Sequence, residues 1–597
     1  MATISRTSET RTYRINKWLG LNENPDGDTK IKYGEAAVME NWRITKDGNL
    51  QIRPGFKTKV TLDPNQTAVK GLWYGYINGT QTFVASCAGK LYTISGGEKT
   101  EIGDVIGDYA HFFGFGEKLY LLTGSKYYVY DGVSLSEVAG YVPLVAISTL
   151  PTGGGTTLEQ INKLNGKRRV QFSPDGKAST FQLPEKSLAS VDSVKSTVDG
   201  TVYTESTDYS VDLTNGTVTF TSAPKAGVNS IEIAYTVATN SRSQVESMRF
   251  SESYNGTTDA RVFLYGDGSN KAIYSDLDGN GKPTAEYFPD MNEMSVDSDN
   301  TPITAMIKHY NSLLTFKSDG AYTTNYGTIT LTDGSVTAAF YTTPLNRSIG
   351  NVAPGQAVLV KNNPFTLFGR SVYEWQLSSY AVKDERNAKT KSERVASSLG
   401  ALSLKDAVCY DDEYTSQYFI VQGDTAIVYN YAADAWYKYT GIPAVCFVRV
   451  EDKLYFGTSD GRLAEFSRAY RNDDGREISA RWESGSMSFD ADYRMKYSSD
   501  IWISLKPESA ARLNITVQSN RRSDYAEKVT ACSLATFANV DFNNFSFNTN
   551  RQPQVDRIRL KVKKFAFYKL IFTSASTSAT ATVLAADIRV RYAGNIK

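Results

Sequence analysis

One unit keeps returning along this chain: a short strand rich in aromatic residues, a turn built on Gly or Asp-Gly, and a second such strand. Copies stand at residues 90–94, 118–132, 313–322, 365–375, 418–429 and 453–463. Alternating Tyr, Phe, Val, Ile and Thr suit a pleated, half-buried surface, and the glycines supply the turn. In the later half the copies recur every 35–55 residues or so, the length of one propeller blade. Repeated antiparallel hairpins must hide their outer strand edges, and closing them into a ring does so. The reading is a mainly β chain built on a β-propeller.

The repeat is interrupted between about 150 and 240. Residues 151–155 (Pro-Thr-Gly-Gly-Gly) read as a flexible entry, and 158–164 as a short helical segment. Strand–turn units follow at 169–172, 180–183, 208–220 and 230–235. Within them Asn215-Gly216 lies between alternating strands, a strong hairpin signal. This predicts an inserted β-sandwich. After about 476 the alternation of residues 501–505, 513–517 and 587–592 predicts a C-terminal β-sandwich, with 526–553 as a long loop. The expected organisation is 1–60 an N-terminal arm and first strand, 61–150 the first part of the propeller, 151–240 the inserted sandwich, 241–475 the second part of the propeller, and 476–597 the C-terminal sandwich.

Composition narrows the function. At 597 residues the chain exceeds one ordinary core. It has no run of about 18 apolar residues for a membrane-spanning helix, and its first residues lack the apolar segment of a secretory signal. With 65 basic against 64 acidic residues, it lacks the basic excess of a tight, sequence-specific DNA binder. The four cysteines (Cys87, Cys409, Cys446 and Cys532) are far apart and form no CxxC pair. With only His111 and His309 beside them, a zinc site is not expected. Both histidines lie in aromatic, strand-like runs, and no nucleophile–base, P-loop or metalloprotease motif is present. The chain reads as a non-enzyme that needs no cofactor.

Two features stand out chemically. Asp276, Asp278 and Asn280, followed by Gly281, match the first half of a calcium loop. Tyr287 stands where the twelfth-position Glu belongs, so a plain Asx-rich turn explains the same residues. Residues 557–563 alternate strictly: Arg557, Arg559, Lys561 and Lys563 on one face of a strand, with Ile558, Leu560 and Val562 on the other. Such a face is solvated, paired across a subunit contact, or turned toward an anionic surface.

The opening of the chain carries a pattern of its own. It runs Trp18, Gly20-Leu21-Asn22, then Gly34-Glu35-Ala36, then Asn41-Trp42-Arg43, then Gly48, Leu50 and Arg53-Pro54-Gly55. It reads as an extended arm, a polar turn, a short helical segment over 36–41, and a strand between two turns. This order resembles the start of phage tail proteins known as stabilisation, nozzle or tail-hub proteins, in which it leads into a β-propeller. The phrase around Asp208-Tyr209, Val211-Asp212 and Val218-Thr219-Phe220 likewise resembles small domains of phage virion proteins.

The resemblance implies a structural virion protein, assembled in the host cytoplasm and forming a ring in the tail, commonly of six copies. Such a ring extends the DNA channel, helps retain packaged DNA and supports fibres or a distal plug. Its implied partners are further copies of itself, the portal and adaptor, fibre or distal tail proteins, and double-stranded DNA in non-specific passage. Trp18, Leu21, Trp42, Arg43 and Arg53 become candidates for an assembly interface, with Arg6, Arg11, Arg14 and Lys17 on an arm docking on a neighbour. The alternatives are a receptor-binding or glycan-processing tail protein and a carbohydrate-binding propeller.

Overall fold

The computed structural model of the protein describes residues 9–23, 28–255, 259–330, 336–376, 387–508, 510–523, 525–532 and 552–596. It is mainly β, and among the described residues no helix exceeds five residues. None of them is long and apolar enough to cross a membrane.

Seven units of four antiparallel strands follow one another: residues 69–104, 111–137, 250–295, 303–346, 358–390, 408–440, and a seventh made of 444–467 completed by Gly55–Thr61; six are sheets of their own and the 408–440 unit is one end of a ten-stranded sheet. The leading strands pack on those of the neighbouring sheets nearly all round, and the seventh sheet returns to the first. The result is a closed, β-propeller-like ring. The repeated hairpins of the sequence lie in the middle of these sheets, for example Gln417–Gln422 against Thr425–Asn430. Their turns are tight, since only two to four residues separate strands that must reverse. The ring is sealed by a strand from the other end of the chain: Gly55–Thr61 pairs antiparallel with Arg462–Ser467, Phe56 opposite Phe466. Residues 55–60, expected with the arm, thus belong to the ring; nothing local marks a strand whose partner lies about 400 residues away.

Between the second and third sheets the chain leaves the ring and builds two further sheets. Six strands span Leu144–Val237, and three strands, Thr180–Gln182, Tyr209–Asp212 and Thr217–Phe220, form the other. Phe172 of the first meets Phe181 of the second edge-on at 5.3 Å, inside a core shared with Phe220, Ile233 and Tyr235. The Asn215-Gly216 hairpin is present as expected. Residues 158–164 are not helical. Asn162 bridges to Pro289 of the third sheet's connection, and its side-chain amide donates to the carbonyls of Tyr141 and Glu286. That tertiary hydrogen bonding replaces the intrahelical kind.

The C-terminal strands form two sheets on one core, and neither consists of C-terminal residues alone. In one, Arg494–Leu505, Gln554–Phe565 and Thr582–Asn595 are joined by Thr10–Ile15 and by the hairpin Trp42–Ile44/Leu50–Ile52. In the other, Glu35–Glu40 lies between Ile478–Ser484 and the outer strand of the sixth ring sheet, so that sheet runs without a break from ring to C-terminal module. Residues 36–41 are therefore not helical. Ala, Met and Glu favour a helix locally, but two waiting strand edges outweigh that preference. Of the expected loop 526–553, Lys528–Cys532 is a strand and 533–551 lie outside the described residues.

Candidate functional site

The residues that carried the resemblance converge on the seam between ring and C-terminal module. Asn41 sits at φ +60°, a left-handed conformation that Asn tolerates, and is buried. Its side-chain amide donates to Thr440 Oγ1 (2.8 Å) and to the Ser479 carbonyl (2.6 Å). Its Oδ1 accepts from Arg53 Nε (2.8 Å) and from the Thr440 N–H (2.9 Å). Arg53, 2 % exposed, forms a two-pronged ion pair with Asp473 at 2.9 and 2.5 Å and donates to the Thr440 carbonyl at 2.8 Å. One buried knot thus ties the arm, the sixth ring sheet, the segment after the seventh, and the first C-terminal strand. Burying an Arg–Asp pair is costly unless its hydrogen bonds are filled, and here Arg53 makes five.

The other pattern residues serve the same seam. Trp18 lies edge-on to Trp482 at 5.1 Å and reaches Phe572 at 6.2 Å. Asn22 Nδ2 donates to Glu35 Oε2 at 2.9 Å, closing the polar turn. Gly34 has φ +92°, and a Cβ there would stand 1.9 Å from the Lys17 carbonyl oxygen. Trp18, Leu21, Trp42, Arg43 and Arg53 are all buried within the single chain. The strands around them pair with strands of the same chain, and the apolar side chains pack into its core. Arg11 pairs with Glu9, and Arg14 with Asp587. Arg6 lies outside the described residues.

Arg43 stands in the wall between two adjoining clefts of about 290 and 650 Å³ at this seam. Its Nε and Nη2 both donate to Gln51 Oε1, at 3.1 and 2.6 Å. The smaller cleft is lined by Tyr414, Gln417, Phe419, Tyr439 and Arg449 beside Asp412 and Glu465. The larger is lined by Trp18, Lys46, Arg468, Arg471, Lys506 and Glu508. Several acids are already engaged. Arg449 holds Asp412 (2.5 Å), Lys59 and the Tyr455 hydroxyl hold Glu465 (3.4 and 3.0 Å), and Arg471 holds Glu508 (3.2 Å). Arg449 also lies over the Tyr414 ring at 4.8 Å. These walls can hydrogen-bond, stack and ion-pair with a polar ligand. Neither lining contains His or Cys.

The residues weighed for chemistry lie elsewhere. His111 is on the second ring sheet and its Nε2 accepts the Ser251 N–H (3.2 Å) and meets the Ser251 hydroxyl (2.9 Å) on the third. Burial depresses its pKa to about 4, so it is a neutral link between blades. Burial likewise lowers His309. It raises the thiols of Cys87, Cys409 and Cys446 to about 11, 12 and 12, which keeps them protonated. In the calcium-like turn, Asp276 pairs with Arg261 (2.9 Å) and accepts from Asn292 (3.2 Å), while Asp278 Oδ1 caps the N–H groups of Asn280 and Lys282. This is an Asx turn in which both Asp276 oxygens and Asp278 Oδ1 already accept from protein donors. Among the described residues no group of three His, Cys, Asp or Glu side chains is placed to hold a metal.

The basic strand is as its alternation predicted. In Gln554–Phe565, Arg557, Arg559, Lys561 and Lys563 face solvent, while Ile558, Leu560 and Val562 are buried.

No protein-family model matches the chain, and no curated protein matches it. Solved structures that align with it include the computationally designed Ika8 protein (11% identity, 69% of this chain and 99% of that one, TM-score 0.28). Another is BamB from Moraxella catarrhalis (10%, 77% and 97%, 0.31), and a third is BBS1N in complex with ARL6DN (11%, 72% and 98%, 0.26). At such scores the superpositions carry no argument, and the fold rests on the strand pairing itself.

Proposed function

We propose that the chain is a structural component of a phage tail, assembling through copies of itself into a ring that extends the DNA channel below the portal and adaptor and supports fibres or a distal plug. The observation that carries the reading is the opening pattern. Its Gly, Asn, Trp and Arg positions form the joint between a seven-sheet ring and a C-terminal module, so the features shared with tail nozzle proteins do structural work at one place. In this reading the insert at 144–237 is a β-sandwich projecting from the ring, the C-terminal strands form a second sandwich, and the protein acts as a scaffold with no catalytic group. The test is the stoichiometry and shape of the purified full chain, by light scattering and electron microscopy. A ring with an axial channel, of six copies, is expected; a protein that stays monomeric at high concentration and in the presence of portal and adaptor overturns the reading.

The Tyr- and Arg-lined cleft beside Arg43 favours a second reading, a tail protein that binds glycans. Saturable binding of a host polysaccharide, lost in Tyr414→Ala, would place it first.

A further inference from the structure

The sheet carrying the basic strand gathers more charge than that strand alone. Residues directly opposite in antiparallel strands point to the same face. In register, Arg559 lies opposite Asp500, Arg557 opposite Trp502, Trp502 opposite Asp587, and Asp587 opposite Arg14. Tyr497 lies opposite Arg591, and Thr12 opposite Arg589. One face therefore collects seven cations: Arg557, Arg559, Lys561 and Lys563 along one edge, Arg589 and Arg591 two strands over, and Arg14 beyond. The carboxylates on it are Asp500 and Asp587. Asp500 is 4 % exposed and pairs with Arg557 at 2.8 Å. Burial raises its pKa, but hydrogen bonds from Ser499 and Arg557 and the charges of Arg557 and Arg589 outweigh this and hold it below its ordinary value.

The opposite face (Ile501, Ile503, Leu505, Ile558, Leu560, Val562, Ile588 and Val590) is core, so the cations cannot turn inward. Strand geometry spaces them about 7 Å apart along each strand and sets the two rows about 10 Å apart. Between the rows lie half-buried Tyr497 and Trp502. Arg591 stands 5.1 Å from the Tyr497 ring centroid and Arg557 5.9 Å from that of Trp502. In a chain of net charge +1, this concentration is local. Like charges this close need solvent or an anionic partner to screen them, and the carboxylates of the face pair only with Arg557 and Arg14. A protein partner of ordinary kind would call for an apolar centre to the patch, whereas nucleic-acid interfaces are polar and strongly cationic.

We propose that this face binds the phosphate backbone of double-stranded DNA, without sequence preference. The choice of duplex DNA as the polyanion rests on the tail-channel reading; the cationic face does not. The test is fluorescence anisotropy of a labelled 30-base-pair duplex with the full-length protein from 50 to 200 mM salt. Four to six phosphate contacts predict a log–log slope of about −4 to −5, a several-hundred-fold weakening over that range. Arg559→Glu, Lys561→Glu and Arg589→Glu together should weaken binding at least tenfold at 50 mM salt and reduce the slope by about 3. The matching Gln set should act in the same direction, and guards against misfolding of the Glu set. Reversing exposed Lys177, Lys186 and Lys225 on the insert should leave binding unchanged.

Duplex binding that is absent at 50 mM salt, or unaltered in both the Glu and the Gln sets, overturns the proposal. So does capture of polyglutamate in preference to DNA, which would assign the face to an acidic protein. A monomer that binds DNA through this face sinks the ring and keeps the inference. A ring that ignores DNA does the reverse.

Discussion

The ring and the seam are built from the same kind of strand, yet they are specified in opposite ways. In the ring, each sheet but the seventh, which Gly55–Thr61 completes, is a run of consecutive hairpins, and partners such as Leu119 and Tyr130 lie close in sequence. At the seam, nearly every contact joins distant parts of the chain: Arg53 to Asp473, Thr10–Ile15 to Thr582–Asn595, Glu40 to Lys438. Local pairing is insensitive to what happens elsewhere. Non-local pairing makes the two ends of the chain depend on each other, and its closure entropy is recovered only when the whole joint forms.

The largest expected effect tests that dependence directly. Deleting residues 1–45 removes four seam strands, Thr10–Ile15, Gly20–Leu21, Glu35–Glu40 and Trp42–Ile44. The C-terminal module should then lose protection from limited proteolysis between 476 and 597, while the ring sheets 69–137 stay protected. Excising 167–236 with a short linker, which keeps Asn162 and Leu164 against the ring, should leave both regions folded, since the Val237 N–H already meets the Gly166 carbonyl at the stem (2.9 Å). Equal protection in the truncated and full-length chains would break the comparison.

Next comes the knot. Asp473→Ala leaves Arg53 charged and buried without its carboxylate, which costs about 3–5 kcal/mol. Denaturant unfolding should show this loss, and Asp473→Asn should recover part of it. Gly34→Ala forces a side chain against the Lys17 carbonyl at positive φ, with an expected loss of about 2–4 kcal/mol by the same measurement. Gly96→Ala, in an open ring turn at φ +61°, has strain alone to bear and should lose about 1–2 kcal/mol.

An effect of comparable size, but dependent on pH, also lies in the ring. Burial pushes the Glu252 carboxyl up to about 7 from an ordinary 4.5, against the hydrogen bond and charge of Lys308. A carboxyl raised by folding contributes its stability fully below about pH 4.5 and loses it as the pH rises through about 7. Glu252→Gln should therefore be more stable than the parent above pH 7, by about 1–3 kcal/mol in denaturant unfolding, and flatten the slope between pH 4.5 and 7. His111, depressed to about 4, acts in the other direction: its contribution is present above about pH 6.5 and lost as the pH falls through 4. Parallel profiles for parent and Glu252→Gln would remove Glu252 from this account.

Legibility follows the same division. The hairpins at 313–322 and 418–429, the Asn215-Gly216 turn and the alternating basic strand were all readable, because each is decided by neighbours in the chain. Residues 36–41 and 158–164 carry a helical local signal yet are not helical, for the complementary reason: their partners, Ile478–Ser484 and Pro289, are far off. Asn41, Arg53 and Gly34 were visible as a pattern, but their purpose was not. Asp473, Thr440 and Ser479, which complete the knot, carry no signal beyond that of ordinary turn and strand residues. Arg589 and Arg591 showed only as alternation, and nothing in their spacing places them beside Arg559.

By itself the sequence determined that this is a β chain of repeated hairpins with an insertion, a distinct C-terminal part and an opening pattern of Gly, Asn, Trp and Arg, since periodicity, turn chemistry and composition are local properties. Only the tertiary structure decided that seven sheets close on the strand Gly55–Thr61, that the arm is sewn into its own chain, and that two cationic strands share one face. Those facts depend on register between strands hundreds of residues apart, which is set by burial of the common core and by the hydrogen bonds that each strand edge must find.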